Sequence, residues 1–367
     1  MNKLVLGNVL HRPLRTLITM MAVGIEVVMI LSIVGVMIGM LNNARKEKSG
    51  IGADIIVEPS NASFIAGIGG APAPMAVADV LAKLPHVAVA SPVTTNLSTI
   101  GSVENIWGID YKSYNALRPF VFLSGGPFKG PNDVIVDDIY AKTGGGHHVG
   151  QTIQVEGHPF KICGIVQHGK GGRKFIPIDT LDQLIGQPGH ASLFYIRSDD
   201  VKNEELIKQE IKDTPGLSQY KVQTIQQWMS LMTPENLPGF KPALNSVIGI
   251  ALIVGFLVIF QSMYTAVLER TREVGILKSL GASKMYIINV ILREAGMIAC
   301  AGIVLGMILT LIVRAVIWHF SPTFSFNVPA EWWFIGAAIA LVSAILGAFY
   351  PALKAAMKDP IDALAYE

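Results

Sequence analysis

Gly164-Ile165-Val166-Gln167-His168-Gly169-Lys170 has the G-x-x-x-x-G-K spacing with which a glycine-rich loop cradles phosphate and a lysine neutralises it. The next residue is Gly171, where magnesium would need Ser or Thr, so the segment reads as a glycine-rich turn. His147, His148, His158 and His168 are crowded enough to suggest a metal, but no carboxylate or cysteine spacing of a known metal signature accompanies them. Solvated loop histidines fit better. Neither H-E-x-x-H nor G-x-S-x-G occurs, which leaves protease and esterase chemistry without support. The two cysteines, Cys163 and Cys300, supply neither a disulfide framework nor a thiolate zinc site. The chain thus shows no catalytic residue, no metal ligand set and no cofactor of its own, and an energy source must come from another subunit.

The elements that carry these residues explain the silence. The 367 residues are 51% apolar and only 15% charged, with a mean hydropathy of +0.47, against about 25% charged in a soluble globular chain. The net charge of +2 is too small for a nucleic-acid footprint. Four runs are long and apolar enough to cross about 30 Å of hydrocarbon: residues 17–41, 243–268, 287–318 (its charge-free heart at Gly296–Val313) and 332–350. The first exceeds a signal peptide's apolar region and lacks a small-residue cleavage site. Lys and Arg near the span ends divide ten to five in favour of cytoplasmic termini. This predicts a multi-pass membrane protein with both termini cytoplasmic, with Trp332 and Trp333 as an outer interfacial anchor. Gly302 and Gly306 form a GxxxG spacing that either lets helices approach closely or reflects the general frequency of glycine in membrane helices.

Glu26 lies within the first run, where an ionisable group is by default a functional-site hypothesis. Three readings stay open: a neutral carboxyl hydrogen-bonded to Asn245, Gln261 or Ser262 on the second span, a role in substrate or proton handling, or a position close enough to the interface to escape the problem.

Residues 42–242 form a 201-residue block with 18 basic and 19 acidic side chains, the balance of a folded domain. It is expected on the extracytoplasmic side, where ATP is lacking. Ala53–Val57, Val87–Val93, Ser192–Arg197 and Tyr220–Thr224 read as strands, with helices at Ala76–Leu84 and at 203–213, the latter capped by Asn203 and stopped by Pro215-Gly216. Between them, Val134–Asp137, Gln151–Val155, Phe160–Val166 and Phe175–Ile178 alternate with glycine-rich turns. The expected fold is therefore four transmembrane helices plus an α+β extracytoplasmic domain between helices 1 and 2. That domain divides into a porter-like part (42–100 and 187–242) and a separate β-rich insert (101–186).

The most specific segment follows the second span: Glu269-Arg270-Thr271-Arg272-Glu273-Val274-Gly275-Ile276-Leu277-Lys278-Ser279-Leu280-Gly281-Ala282-Ser283. Its charged half is expected to continue the second helix, with Glu269/Arg272 and Arg270/Glu273 paired at i,i+3. Val274, Ile276, Leu277 and Leu280, bracketed by Gly275 and Gly281, would form an apolar patch on a short helix that asks for a partner surface. The plainer reading is a basic loop that only fixes topology.

This segment resembles the E-R-x-R-E-[IV]-G-[IL]-[LRK]-[AS]-[LI]-G-A-S motif of MacB/FtsX-like permeases, the type VII ABC transporter family. Asn8–Leu17 is similar to the family's amphipathic approach to the first helix (1–16). Tyr350–Ala356 with Asp359–Leu364 is similar to its C-terminal signature, here in a cytoplasmic tail at 351–367. The resemblance implies that region 269–286, with Val274–Ser283 as the coupling helix, docks a separate ABC ATPase that binds ATP and magnesium. It implies a dimer of permeases, the second subunit identical or a paralogue, on two ATPases, embedded in membrane lipid. A periplasmic adaptor or outer-membrane channel would lie beyond, and no nucleic acid is involved. ATP-driven motion would be transmitted mechanically to the periplasmic domain, to export or extract a lipidic, peptide or drug-like substrate. The alternative is an FtsX-like regulator of a periplasmic partner such as a cell-wall hydrolase. MacB itself carries a fused ATPase; without one, a stand-alone permease in a two-gene system is expected.

Overall fold

The computed structural model describes residues 13–60, 72–98, 104–320 and 323–359. Expectations on residues 1–12 and 360–367, the amphipathic approach and the end of the C-terminal signature, lie outside them. The chain divides into a membrane unit (residues 13–40, 237–319 and 324–359) and a polar unit (41–236 and 320–323).

The helices and strands in chain order are α1 (Pro13–Gly50), β1 (Ile55–Glu58), β2 (Ala73–Pro74), α2 (Val77–Leu81), β3 (Val87–Ser98), β4 (Glu104–Ile109), α3 (Tyr111–Leu117), β5 (Phe122–Gly125), β6 (Asp133–Asp137), β7 (Thr152–Val155), β8 (His158–Val166), β9 (Lys174–Pro177), α4 (Ile178–Leu184), β10 (His190–Ala191), β11 (Leu193–Ser198), α5 (Glu204–Asp213), β12 (Lys221–Thr224), α6 (Ile225–Leu231), α7 (Phe240–Glu269), α8 (Thr271–Ser279), α9 (Lys284–Phe320) and α10 (Ala330–Met357).

Helices α1, α7, α9 and α10 are long and apolar enough to cross a membrane. Small residues set their packing. Gly336, Ala340, Ala344, Ala348, Ala352 and Ala356 recur every four residues on α10 and are all buried, a stripe that admits a neighbouring backbone closely. A Cβ on Gly347 would lie 2.7 Å from the Phe256 carbonyl of α7. Of the two readings of Gly302 and Gly306, close approach holds: a Cβ on either would meet Val23 or Val27 of α1 at 2.7 Å. Trp332 and Trp333, at the start of α10, are half-buried against the packed helices. Pro351 does not end α10, which runs on to Met357, so the expected tail from 351 begins inside the helix. Likewise α1 continues to Gly50, well past the expected span end at Leu41.

In the polar unit ten of the described strands form one sheet, in the order β12-β1-β11-β3-β4-β9-β6-β8-β5 with β7 on β8; β4–β9 and β6–β8 pair in parallel. The β-rich part is therefore not a separate sheet. The cause is the length of β3: its first half pairs with β11 and its second half, Val93–Ser98, with β4. The apolar cores are nonetheless two. One gathers Ile55, Val57, Leu81, Phe194, Ile196, Ile207 and Ile211; the other gathers Ile106, Val134, Val136, Phe160, Ile162, Ile176 and Leu181. Asn203 does not cap α5. It sits in αR conformation at the end of a 3-10 turn, Val201–Asn203, whose own cap is Asp200, accepting from the Lys202 N–H at 3.0 Å.

Candidate functional site

The motif after the second span forms a corner of two breaks around one short helix. The first break comes at Arg270, whose φ of −108° and ψ of 19° end α7 at Glu269, so the charged half of the motif opens α8 instead of prolonging α7. At the far end Gly281 has φ +90°, a conformation that an L side chain resists. The Ala282 N–H donates to the Leu277 carbonyl at 3.0 Å and the Gly281 N–H to the Lys278 carbonyl at 3.0 Å, the paired bonds of a Schellman stop. Ser283 then caps α9, its Oγ accepting from the Tyr286 N–H at 3.2 Å. Gly281-Ala282-Ser283 is thus a stop, a spacer and a start, and the short helix is Thr271–Ser279, not Val274–Ser283.

The charges of the corner reach across helices. Glu269 is ion-paired with Arg15 of α1 at 2.7 Å and Arg270 with Glu294 of α9 at 3.2 Å, the latter pair nearly buried. The expected partners, Arg272 and Glu273, are exposed instead. Lys278 donates to the Ala356 and Lys358 carbonyls at 3.0 and 2.5 Å, a cation on the last carbonyls of α10. One corner therefore holds α1, α9 and α10 as well as α7.

Its apolar residues divide by face. Thr271 and Gly275 are buried, Val274 and Leu277 are half-buried along a cleft of about 70 Å³ that Met263, Val267, Ile287 and Ile291 also line, and Ile276 and Leu280 stand out, 46% and 80% exposed. The patch predicted from sequence is half its expected size. Arg272, Ile276 and Leu280, spaced four apart, are all exposed.

Glu26 is 3% exposed. Its carboxylate oxygens accept from Ser343 Oγ of α10 at 3.0 and 3.2 Å, and Gly255 of α7 leaves room for it, since a Cβ there would fall on the carboxyl. The expected partners on the second span are not used: Asn245 and Gln261 are exposed, and Ser262 shares a 2.5 Å hydrogen bond with Thr19. No periodic signal marks Ser343, a single serine within the apolar middle of α10.

In the polar unit, Lys170 is no phosphate ligand. Its ammonium donates to the Arg118 carbonyl, the Lys170 carbonyl accepts from Tyr114 Oη at 2.5 Å, and Gly169 and Gly171 turn the chain with positive φ. Burial pushes Lys170 down to about 8. The histidines part company: His147 stacks on Tyr140, His158 bonds the Glu156 carbonyl and His168 pairs with Asp138 at 2.9 Å.

Residues 16–214 match the MacB-like periplasmic core domain and residues 245–360 the FtsX-like permease C-terminal domain. The macrolide export ATP-binding/permease protein MacB of Neisseria meningitidis is 24% identical over 98% of this chain and 60% of its own length. The pyoverdine export ATP-binding/permease protein PvdT of Pseudomonas syringae is 31% identical over 60% of this chain and 35% of its own. The chain thus spans about 60% of the length of these MacB relatives and less of PvdT. The periplasmic region of MacB from Actinobacillus actinomycetemcomitans is similar over 52% of this chain and 97% of that one, at 17% identity and a TM-score of 0.40.

Proposed function

The chain belongs to the MacB/FtsX-like permeases of the type VII ABC transporter family, and on that premise we propose that it carries the work of a cytoplasmic ABC ATPase to the extracytoplasmic domain of an exporter. The observation that carries this is α8: a short helix bound on one side into α7, α9 and α10, and bare on the other at Ile276 and Leu280. An exposed apolar pair on a helix tied to its neighbours supports reading this face as a docking surface. The surplus of basic residues at that end of the spans supports its cytoplasmic placement. Closure of docked ATPases would push α8, and the push would pass into α1 and α7, the two helices that lead to and from the polar unit.

A dimer of permeases on two ATPases is the assembly this reading takes. The named cargoes of the relatives, macrolides and pyoverdine, favour an amphipathic small molecule or peptide taken from the periplasm or outer leaflet. A regulator of a periplasmic partner is the alternative, separated by whether cargo leaves the cell when the ATPase turns over. The decisive variant is Leu280→Asp, which places a charge on the bare face without touching the packed one. Co-purification of an ATPase and stimulation of its turnover are expected to fall about tenfold or more, while elution and helical content stay unchanged. Unaltered stimulation would remove α8 as the docking element.

A further inference from the structure

Lys48, in the last turn of α1 beyond the span, is enclosed by aromatic rings. Its Nζ lies 5.4 Å from the Trp107 ring, 5.1 Å from Tyr195 and 5.3 Å from Trp228, and it donates to the Tyr195 hydroxyl. Trp107 and Tyr195 stack at 6.2 Å with their planes 8° apart, and Gly171 and Gly172 press so closely on Trp107 that a Cβ at either would collide with it. These two rings, from β4 and β11, are therefore a fixed floor. Trp228 is different: it belongs to α6, the helix that precedes the chain's return to the second span, and it is 6% exposed. The same turn of α1 is held by the Gly171 N–H, which donates to Glu47 at 3.2 Å.

We propose that Lys48 is a positioning residue whose ammonium clasps the last turn of α1 to α6 across the Trp107–Tyr195 floor, so that the chain entering the polar unit and the chain leaving it move as one piece. A cation suits the task better than an apolar group. Apolar packing tolerates sliding, whereas an ammonium held over three ring faces loses that ring's share of the attraction when any one moves. Burial makes the cation costly, pushing Lys48 down to about 8, with Glu58 of β1 partly opposing. The other titratable groups facing this pocket are the Tyr195 and Tyr114 hydroxyls, both pushed up by burial. Replacement of a buried charge by an apolar residue of similar size is often neutral or stabilising. A melting temperature therefore says little about the clasp, and a positional readout is needed.

The test is amide hydrogen exchange on the full chain in detergent, comparing wild type with Lys48→Met, Lys48→Arg and Trp228→Leu. In Lys48→Met, exchange is expected to rise about tenfold in 44–50 and 225–231 together, with the melting midpoint held or raised. Lys48→Arg, which keeps a cation able to lie on ring faces, is expected to restore protection to within about threefold. Trp228→Leu should loosen 44–50 even if a Lys48 variant fails to fold. Unchanged exchange in Lys48→Met, a rise in only one of the two segments, or no rescue by arginine would overturn the clasp. A second arm rests on the proposed function. If the wild type stimulates an ATPase and Lys48→Met stimulates it equally, the clasp has no part in coupling and this inference fails. If the wild type does not stimulate it, the functional reading fails while the exchange result stands.

Discussion

Asp182 of α4 offers a sharp test of the electrostatic reasoning. It lies where β3, α4 and β10 meet, at the seam between the two cores, and is 1% exposed. Thr94 of β3 donates to its Oδ1 at 2.7 Å, and its Oδ2 has no partner. Burial raises the carboxyl from 3.8 to about 6, with the Thr94 hydrogen bond opposing. The folded chain therefore keeps this proton where the unfolded chain has lost it. The contribution of Asp182 to stability is complete below about pH 4 and is lost as pH rises through about 6, a total of roughly 3 kcal/mol at one pKa unit per 1.36 kcal/mol.

Asp182→Asn removes that titration and keeps an oxygen for Thr94. Between pH 4.5 and pH 7.5 the linkage integral for the wild-type carboxyl comes to about 2 kcal/mol. For a unit of about 200 residues this corresponds to a shift of about 4–8 °C. The melting midpoint of the variant minus that of the wild type should therefore grow by about 4–8 °C from pH 4.5 to 7.5. Differential scanning calorimetry of the full chain in detergent reads this difference, and the subtraction cancels other titrating carboxylates such as Glu47 and Asp137, also pushed up by burial. A constant difference, or one that shrinks with pH, would refute the placement of Asp182 as a buried, under-bonded carboxyl.

Glu26→Gln should preserve assembly and turnover if Ser343 needs only an acceptor; normal assembly with lost turnover, measured in proteoliposomes, would assign Glu26 an ionisable role. Gly306→Leu drives a side chain into Val27 and the Gly24 carbonyl of α1, a clash of about 1–3 kcal/mol. It should broaden elution on size exclusion, whereas Gly296→Leu, with open space around it, should not. Gly281→Ala forces an L residue to φ +90°, at about 1–2 kcal/mol, and should lower the melting midpoint by a few degrees; an unchanged midpoint would speak against the Schellman stop.

The spans were legible because one physical quantity, apolar length against bilayer thickness, decides them. Strands of the polar unit were legible too: Val134–Asp137 and Phe160–Val166 fall within a residue or two of β6 and β8. Partnerships were not. The pairing of Glu269 with Arg272 follows from helical spacing alone, but spacing ignores a break at Arg270 and cannot see Arg15, 254 positions away. The Asn203 cap failed for a related reason: Asp200 offers the same chemistry three residues earlier, and composition does not choose between them. The alanine stripe of α10 was visible in principle as small residues every four positions, yet it was hidden within a generally apolar run. Lys48 was beyond reach, because its cage is built from three elements distant in sequence, β4, β11 and α6.

The corner around α8 limits how any docking force can act. A helix joined only through its own chain would swing on Arg270 and Gly281 and dissipate a push as local bending. Here Lys278 grips the end of α10, Arg270 is paired into α9, and Glu269, at the end of α7, holds α1. Each link is a charge-assisted hydrogen bond; the nearly buried Arg270–Glu294 pair is worth about 1.5–3 kcal/mol, the more open Arg15–Glu269 pair about 1 kcal/mol or less. Displacing α8 alone would strain or break several at once, whereas moving it with the ends of all four long helices keeps them. The lower-cost path is thus collective displacement of the bundle end.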